Sequence, residues 1–213
     1  MKISASRIGL VGLLALLSGC ASPQIHSTSQ TYTSSLKSDS FRNGGIAFVT
    51  PSTVTGQEED KQALALAFAN VLRNQQPGVR SVALPETLSA INRSGLTGKY
   101  KAMCDDYRQT GIFDRDTLQE VAKVTGVRYV AQLKLAGFKQ GSKGRWGALG
   151  LRVLETQLSD IRLFLQIWDS KDGSIAWEGV EELSYARETM SEDPVTFKTA
   201  VEETAQRLIA RLP

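Results

Sequence analysis

"LQEVAKVTGVRYVAQLKLAGF", residues 118–138, holds two hydrophobic periods joined at one glycine. Leu118, Val121 and Ala122 recur at helical spacing, with Asp114 or Asp116 placed ahead of them as a cap. After Gly126 the period falls to two: Tyr129, Ala131, Leu133 and Leu135 alternate with Arg128, Gln132 and Lys134. Glycine tolerates the left-handed backbone that ends a helix, so Gly126 reads as the hinge between helix and strand. A helix delivering the chain straight into a half-buried strand is a building unit of a layered α/β domain.

The flanking sequence extends this unit in both directions. Upstream, "GGIAFVTP" (44–51) is a short apolar run bounded by Gly and Pro, the pattern of a strand buried on both faces. In "EEDKQALALAFANVLRN" (58–74), Leu64, Ala67, Phe68, Val71 and Leu72 share one helical face behind an acidic first turn. "VRSVAL" (79–84) gives a second strand, so the order strand, helix, strand predicts a parallel pair with a right-handed crossover. Residues 85–125 read as two or three short helices opened by Pro85 and broken at Gly95 and Gly98. Downstream, Ile161, Leu163, Leu165 and Ile167 alternate with polar residues, and "DSKDGS" turns the chain into a partner strand with Ile175 and Trp177. Residues 158–187 are therefore expected as an antiparallel hairpin, with Gly179 marking a bulge. Asp193-Pro194 opens a last helix with Phe197, Val201, Ala205, Leu208 and Leu212 on one side. The fold expected is a single α/β (α+β) domain over residues 41–213, a mixed sheet of four to five strands flanked by helices.

The first forty residues have a different character. Lys2 and Arg7 precede an apolar stretch from Ile8 to Leu17, followed by small residues, the order of a secretory signal peptide over 1–19. The apolar part is roughly half of the ~20 residues that span a bilayer as a helix. Leu17-Ser18-Gly19-Cys20 resembles the lipobox of bacterial lipoproteins, which implies diacylglycerol on the Cys20 sulfur, cleavage before it, and acylation of the new amine. More than one chain makes such an anchor firm, because each buried methylene contributes about 0.8 kcal/mol. Ala21 follows, where an aspartate would resemble an inner-membrane retention signal, so the outer membrane of a two-membrane bacterium, on its periplasmic side, is the expected address. Ten of the twenty residues from Ala21 to Ser40 are Ser or Thr, so 20–40 is expected to be the lipidated cysteine and a flexible tether.

Composition removes whole classes of function. The 25 basic and 22 acidic residues give a formal charge of +3, and loss of Lys2 and Arg7 with the signal leaves near balance. No basic stripe suited to nucleic acid results. With Cys20 acylated, Cys104 is the single remaining thiol, and no internal disulfide can form. The one histidine, His26, lies in the polar tail. Ser-His-Asp or Cys-His catalysis and a His-rich zinc site are therefore out of reach of the domain. No glycine-rich phosphate loop with its lysine is present, and no cofactor or metal is expected.

The first strand and its amphipathic helix, the 118–138 segment, and "LFLQIWDSKDGSIAWEGVEE" (163–182) together resemble the periplasmic α/β family of the TolB amino-terminal domain, CsgG and LpoB. The matching elements are a "G-x-x-Y/F-V" entry into the central strand and a hairpin with an Asp-Gly turn and a tryptophan on the return strand. The resemblance implies a non-enzymatic lipoprotein that contacts another cell-envelope protein, or one that oligomerises as a secretion channel or assembly component of the CsgG type. For a channel, the 134–168 segment would supply the lipid-facing hairpin, yet it carries Lys143, Arg145, Arg152, Glu155 and Asp160.

Four groups of residues remain as candidates. "KQGSKGRWGALG" (139–150) sets Trp146 beside Arg145 in a glycine-rich loop able to grip a protein partner, or to fold the indole back onto the domain. Phe164 and Trp168 lie opposite the aliphatic row of their strand, either beneath a second layer of helices or as a docking patch. "YKAMCDDYRQ" (100–109) groups Cys104, Asp105 and Asp106, but adjacent helical residues point about 100° apart and cannot share a proton. A carboxylate-dependent cell-wall enzyme thus has little to work with. Asp169 and Asp172 flank the hairpin turn, where aspartate needs no calcium to explain it. The expected partners are the membrane, through the N-terminal lipid, and another envelope protein gripped through Arg145, Trp146, Phe164 and Trp168.

Overall fold

A computed structural model describes residues 24–54, 57–146, 152–189 and 196–213. The signal peptide and Cys20 lie outside these residues, as do Gly147–Leu151 and Asp193-Pro194. The described elements run β1 (Gln24–Thr33), α1 (Ser38–Gly44), β2 (Ile46–Phe48), β3 (Ser52–Thr53), α2 (Glu58–Gln75), β4 (Ser81–Val82) and α3 (Leu84–Arg93). They continue with α4 (Thr97–Thr110), α5 (Arg115–Thr125), β5 (Tyr129–Trp146), β6 (Arg152–Asp169), β7 (Ser174–Thr189) and α6 (Phe197–Ile209). One mixed sheet orders the strands β1-β7-β6-β5-β2-β4, with β3 also beside β5. β4, β2, β3 and β5 are joined by parallel ladders, whereas β5, β6, β7 and β1 are joined antiparallel. The architecture is the α/β domain expected, a mixed sheet flanked by helices.

The helix-to-strand hinge forms as its sequence dictates. Asp114 caps α5 by accepting from the Thr117 backbone N–H at 2.8 Å, and Gly126 ends the helix in the left-handed region at φ 67°. The chain then enters β5, whose residues Tyr129, Ala131, Leu133 and Leu135 face one core. That core is closed by Phe41 of α1, by Leu64, Phe68 and Leu72 of α2, and by Val201, Ala205 and Leu208 of α6. A second, smaller core lies on the opposite face, where Val130 and Trp168 meet Ile91 of α3, Tyr100, Met103 and Tyr107 of α4, Phe113, and Leu118 and Val121 of α5. Residues 85–125, expected as two or three short helices, form α3, α4 and α5, and these make the second layer.

Three local expectations are corrected. The segment expected as a flexible tether holds β1, which pairs antiparallel with β7 from Gln24 opposite Ala186 to Thr33 opposite Trp177. Its Ser and Thr residues bury little surface, but they extend readily, and the open edge of β7 supplies a full ladder of backbone partners. This strand and the short β3 raise the number to seven among the described residues, against the four or five expected. The bulge also sits elsewhere. The β6–β7 register shifts between Ile167 and Trp168, skipping Ala176, while Gly179 stays in step opposite Leu165. Gly179 is required for a different reason: a Cβ there would lie 2.3 Å from the Trp177 ring and 2.9 Å from Leu208. Lastly, α6 is capped by Thr196, whose hydroxyl accepts from Thr199 N–H at 3.1 Å.

The buried Trp177 ring leaves no room to shift, so Gly179→Ala should destabilise the domain by about 1–3 kcal/mol, the usual range for overpacking. A lowered urea midpoint with an unchanged slope would show it; a midpoint equal to wild type would mean that the indole does not rest on Gly179.

Candidate partner-binding surface

The two faces of the sheet are covered unequally. On the side of α3, α4 and α5, the helices bury Val130 and Trp168 near the start of β5, and beyond that level the sheet opens to solvent. The ladder registers define the open rows. Gln132, which is buried, lies beside Gln166, Glu178 and Tyr32 in a boundary row across β5, β6, β7 and β1; the open rows are Lys134, Phe164, Val180 and Gln30, and then Arg162, Glu182 and Thr28. Period two places all of these on one face.

Phe164 sits at the centre of this surface. It is half-buried, with Lys134 Nζ 5.7 Å and Arg162 Cζ 5.2 Å from its ring centroid, so two cations frame one aromatic face. Contacts of this type contribute about 0.5–1 kcal/mol when exposed. Arg162 also pairs with Glu182 at 2.9 Å, both side chains being 53% exposed. At the β1 edge, Tyr32 is 65% exposed. Aromatic and arginine side chains standing together on an open, rigid sheet are the composition that dominates protein–protein interface energetics.

The other sequence-derived candidates separate. Trp168 is 3% exposed and packs edge-on against Phe113 at 5.2 Å, so it belongs to the second core and offers no docking face. Its indole N–H donates to Gln166 Oε1 at 3.3 Å, and Tyr107 donates to the same oxygen at 2.8 Å. Arg145 and Trp146 are not in a glycine-rich loop: their backbone continues β5, opposite Leu154 and Arg152 of β6. The strands override the loop composition because β5 and β6 pair without a break in partners to this point, with bulges only at Leu135/Gly137 and Arg145/Trp146. Phe164, Trp168, Arg145 and Trp146 thus all lie on the β5–β6 hairpin, with Trp168 covered by the second layer of helices. Lys134, Arg162 and Tyr32 were missed as members of the surface. Alternation alone could have placed Lys134 and Arg162 beside Phe164, whereas Tyr32 required knowledge that β1 exists.

The carboxylates have structural occupations. Asp169 receives Arg128 Nε at 2.9 Å and the Lys171 backbone N–H at 3.1 Å, while Asp172 accepts from Ser174 N–H at 2.9 Å in the hairpin turn. Asp105 pairs with Arg108 on the same helix. Among the described residues, no group of three or more His, Cys, Asp or Glu could hold a metal ion, and no helix is long and apolar enough to cross a membrane. Cys104 lies partly buried at the second core, and burial pushes its thiol up to about 11. Tyr107 is pushed up to about 12, again by burial first and then by Glu178.

A cavity of about 710 Å³ opens between α4 and the end of β2, bounded by Thr50, Ser52, Tyr100, Cys104, Phe113 and Gln132. Tyr100 closes its inner wall, its hydroxyl accepting from Thr50 N–H at 2.8 Å.

No family model matches this chain, and no curated protein matches it. It is similar to solved structures at low identity. One is a PelC dodecamer from Paraburkholderia phytofirmans, at 13% identity, covering 88% of this chain and 97% of that one, with a TM-score of 0.48. Another is the lipoprotein GNA1162 from Neisseria meningitidis, at 11% identity, covering 79% and 96%, with a TM-score of 0.38. A third is the LpoB C-terminal domain from Salmonella enterica, at 15% identity, covering 65% and 82%, with a TM-score of 0.32.

A thiol held near 11 is neutral at ordinary pH, with a thiolate fraction of about one in a thousand at pH 8. Iodoacetamide should therefore modify Cys104 in the folded protein far more slowly than in urea, and the rate should climb about tenfold per pH unit from 7 to 9. A rate that levels off below pH 8 would show an activated thiol instead.

Proposed function

We propose that this chain is a lipid-anchored, non-catalytic accessory lipoprotein of the cell envelope that works by binding another envelope protein. The observation that carries the reading is the open sheet face built around Phe164, Lys134 and Arg162, in a domain whose carboxylates serve caps, turns and ion pairs. The signal-like segment and Cys20 in its lipobox context support anchoring, on the periplasmic side of an outer membrane.

The sheet registers support a consistent arrangement. Gln24, where the chain enters β1, lies level with Ala186, Leu158 and Gly141, at the end toward which the β5–β6 hairpin extends. Five further β5 residues, Ser142–Trp146, continue past that level, a span of about 17 Å at the rise of an extended strand. An anchor at Cys20 would enter at this end and leave the Phe164 surface facing sideways, toward neighbouring proteins rather than lipid.

Photo-crosslinking in living cells tests the reading directly. A benzophenone side chain at position 164 or 162 should trap one discrete envelope protein, and the same group at buried Ile167 should trap none. Lys134→Glu combined with Arg162→Glu should reduce the yield at position 164 about tenfold or more, a cost of about 1.4 kcal/mol or more in binding. Adducts made only with a second copy of the chain would favour the oligomeric channel or assembly role instead. No adduct at either position would overturn partner binding through this face. Mass spectrometry of the membrane-extracted protein should show Cys20 carrying diacylglycerol, and Cys20→Ala should release the protein from the membrane fraction.

A further inference from the structure

We infer that the free edge of β1 is where the partner protein adds a strand: an extended, uncharged segment rich in β-branched or aromatic residues pairs with Gln24–Thr33 and continues the sheet. The inference rests on the partner-binding reading and names how that partner engages the domain.

The first observation is the contrast between the two ends of the sheet. The strand order ends at β4 on one side and at β1 on the other. β4 is two residues long, with Pro77 ahead of it and Pro85 behind, and offers almost no ladder. β1 is ten residues long, about 33 Å at the rise of an extended strand. Its inner edge pairs with β7 from end to end without a register shift, and among the described residues no strand pairs with its outer edge. Folded proteins protect such an edge by keeping it short, by placing lysine or proline in it, or by a bulge. "QIHSTSQTYT" contains no proline, no lysine and no other formally charged side chain, and eight of its ten residues are exposed. A row of open N–H and C=O groups is the template that a peptide strand joins through main-chain hydrogen bonds.

The second observation is that β1 is fixed from within. Ile25 packs against the main core, Ser27 Oγ accepts from Arg207 at 3.1 Å, and the Ser29 hydroxyl donates to Glu181. The edge is therefore ordered before a partner arrives, which lowers the entropy cost of binding to it.

The third observation concerns the occupant. A two-fold axis sets two identical edges antiparallel. Two copies held at Cys20 in one membrane would run β1 in the same direction, away from the lipid, so β1 does not meet β1. A head-to-tail contact between copies would set β1 against β4, which is too short to pair with it. A strand of a different protein remains. β1 offers an incoming ion no counter-charge, and the Thr and Tyr side chains along it pair across strands with β-branched and aromatic neighbours. Gln30 lies in the row of Phe164, and Tyr32 in the row of Gln166 and Glu178. An added strand would lengthen those rows, so a single segment engages the edge and the Phe164 face together.

The test combines the crosslink at position 164 in living cells with proline substitutions along β1. Backbone N–H groups alternate between the two edges of a strand, so Thr28→Pro and Gln30→Pro remove donors from one edge, and Thr31→Pro and Thr33→Pro from the other. Hydrogen–deuterium exchange of the full chain, purified in detergent, identifies the outward set as the β1 amides that exchange fast. Protection of every β1 amide in the purified protein would overturn the open edge. The inward pair of prolines should lower the urea midpoint. The outward pair should leave it near the wild-type value yet reduce the adduct at position 164 about tenfold, because a donor is lost and the ring obstructs the neighbouring strand. Alanine at the same outward positions keeps the N–H and should leave the adduct intact. An adduct indifferent to the outward prolines, or lost equally with alanine, would overturn edge pairing while the Phe164 reading stands. An adduct with a second copy alone would overturn the choice of occupant. No adduct at position 164 in the otherwise unsubstituted chain would remove the partner-binding reading and the edge with it.

Discussion

The rest of the molecule depends on how far the second layer of helices reaches along β5. Where α3, α4 and α5 cover the sheet, consecutive residues Val130 and Ala131 are both fully buried, one in each core. Farther along, Leu133 and Leu135 stay buried while Lys134 between them is exposed. A strand buried on both faces demands apolar residues in succession, and one buried on a single face demands alternation. β5 obeys the first rule for its opening residues and the second thereafter. That change within a single strand creates both the open rows around Phe164 and the cavity at the margin of the helical layer.

Polar chemistry collects along the boundary between the two regimes. Gln132, Gln166 and Glu178 form one row across three strands, beside the edge of the second core. Gln166 is held from above by Tyr107 and Trp168, and it donates onward to Glu178. An amide at the rim of an apolar layer satisfies hydroxyl and indole donors that face partly into the core, as burial requires. Gln132 differs because its oxygen is buried with no hydrogen-bond partner among the described residues. The acidic residues Asp114, Asp169 and Asp172 are committed to a cap, an ion pair and a turn.

Local sequence disclosed the elements whose energetics are local. The α5–Gly126–β5 hinge, the Pro85 helix start and the Asp172 turn each rest on contacts within a few residues, and composition reports such contacts faithfully. What stayed hidden required partners distant in the chain. Gly179 appears irregular in an alternating strand, and only the position of the Trp177 ring shows that close approach, not a bulge, excludes a side chain. Trp168 and Phe164 share one strand face, yet one is core and the other surface, because the second layer of helices covers Trp168 and not Phe164. The glycines at 141 and 144 suggested a loop, but the ladder to β6 runs through both. The orphaned Gln132 oxygen has no counterpart in the sequence at all.

β1 shows most clearly how a compositional argument can mislead. A stretch half Ser and Thr cannot drive folding through its own burial, and in isolation it would remain unstructured. β7, however, presents an edge of unpaired N–H and C=O groups, and any extended segment of suitable length can complete it. Threonine is comfortable in that geometry, and Ile25 adds contact with the main core. Ser29 gives the pairing a further consequence, since its hydroxyl donates to Glu181, a fully buried carboxylate whose other oxygen has no partner among the described residues. Detaching β1 would therefore take the Ser29 hydroxyl away from a carboxyl group inside the core and remove a ladder of backbone bonds. The strand that leads back toward Cys20 is thus part of the domain's own stability, and a pull transmitted along the N-terminal segment would act on the sheet edge directly.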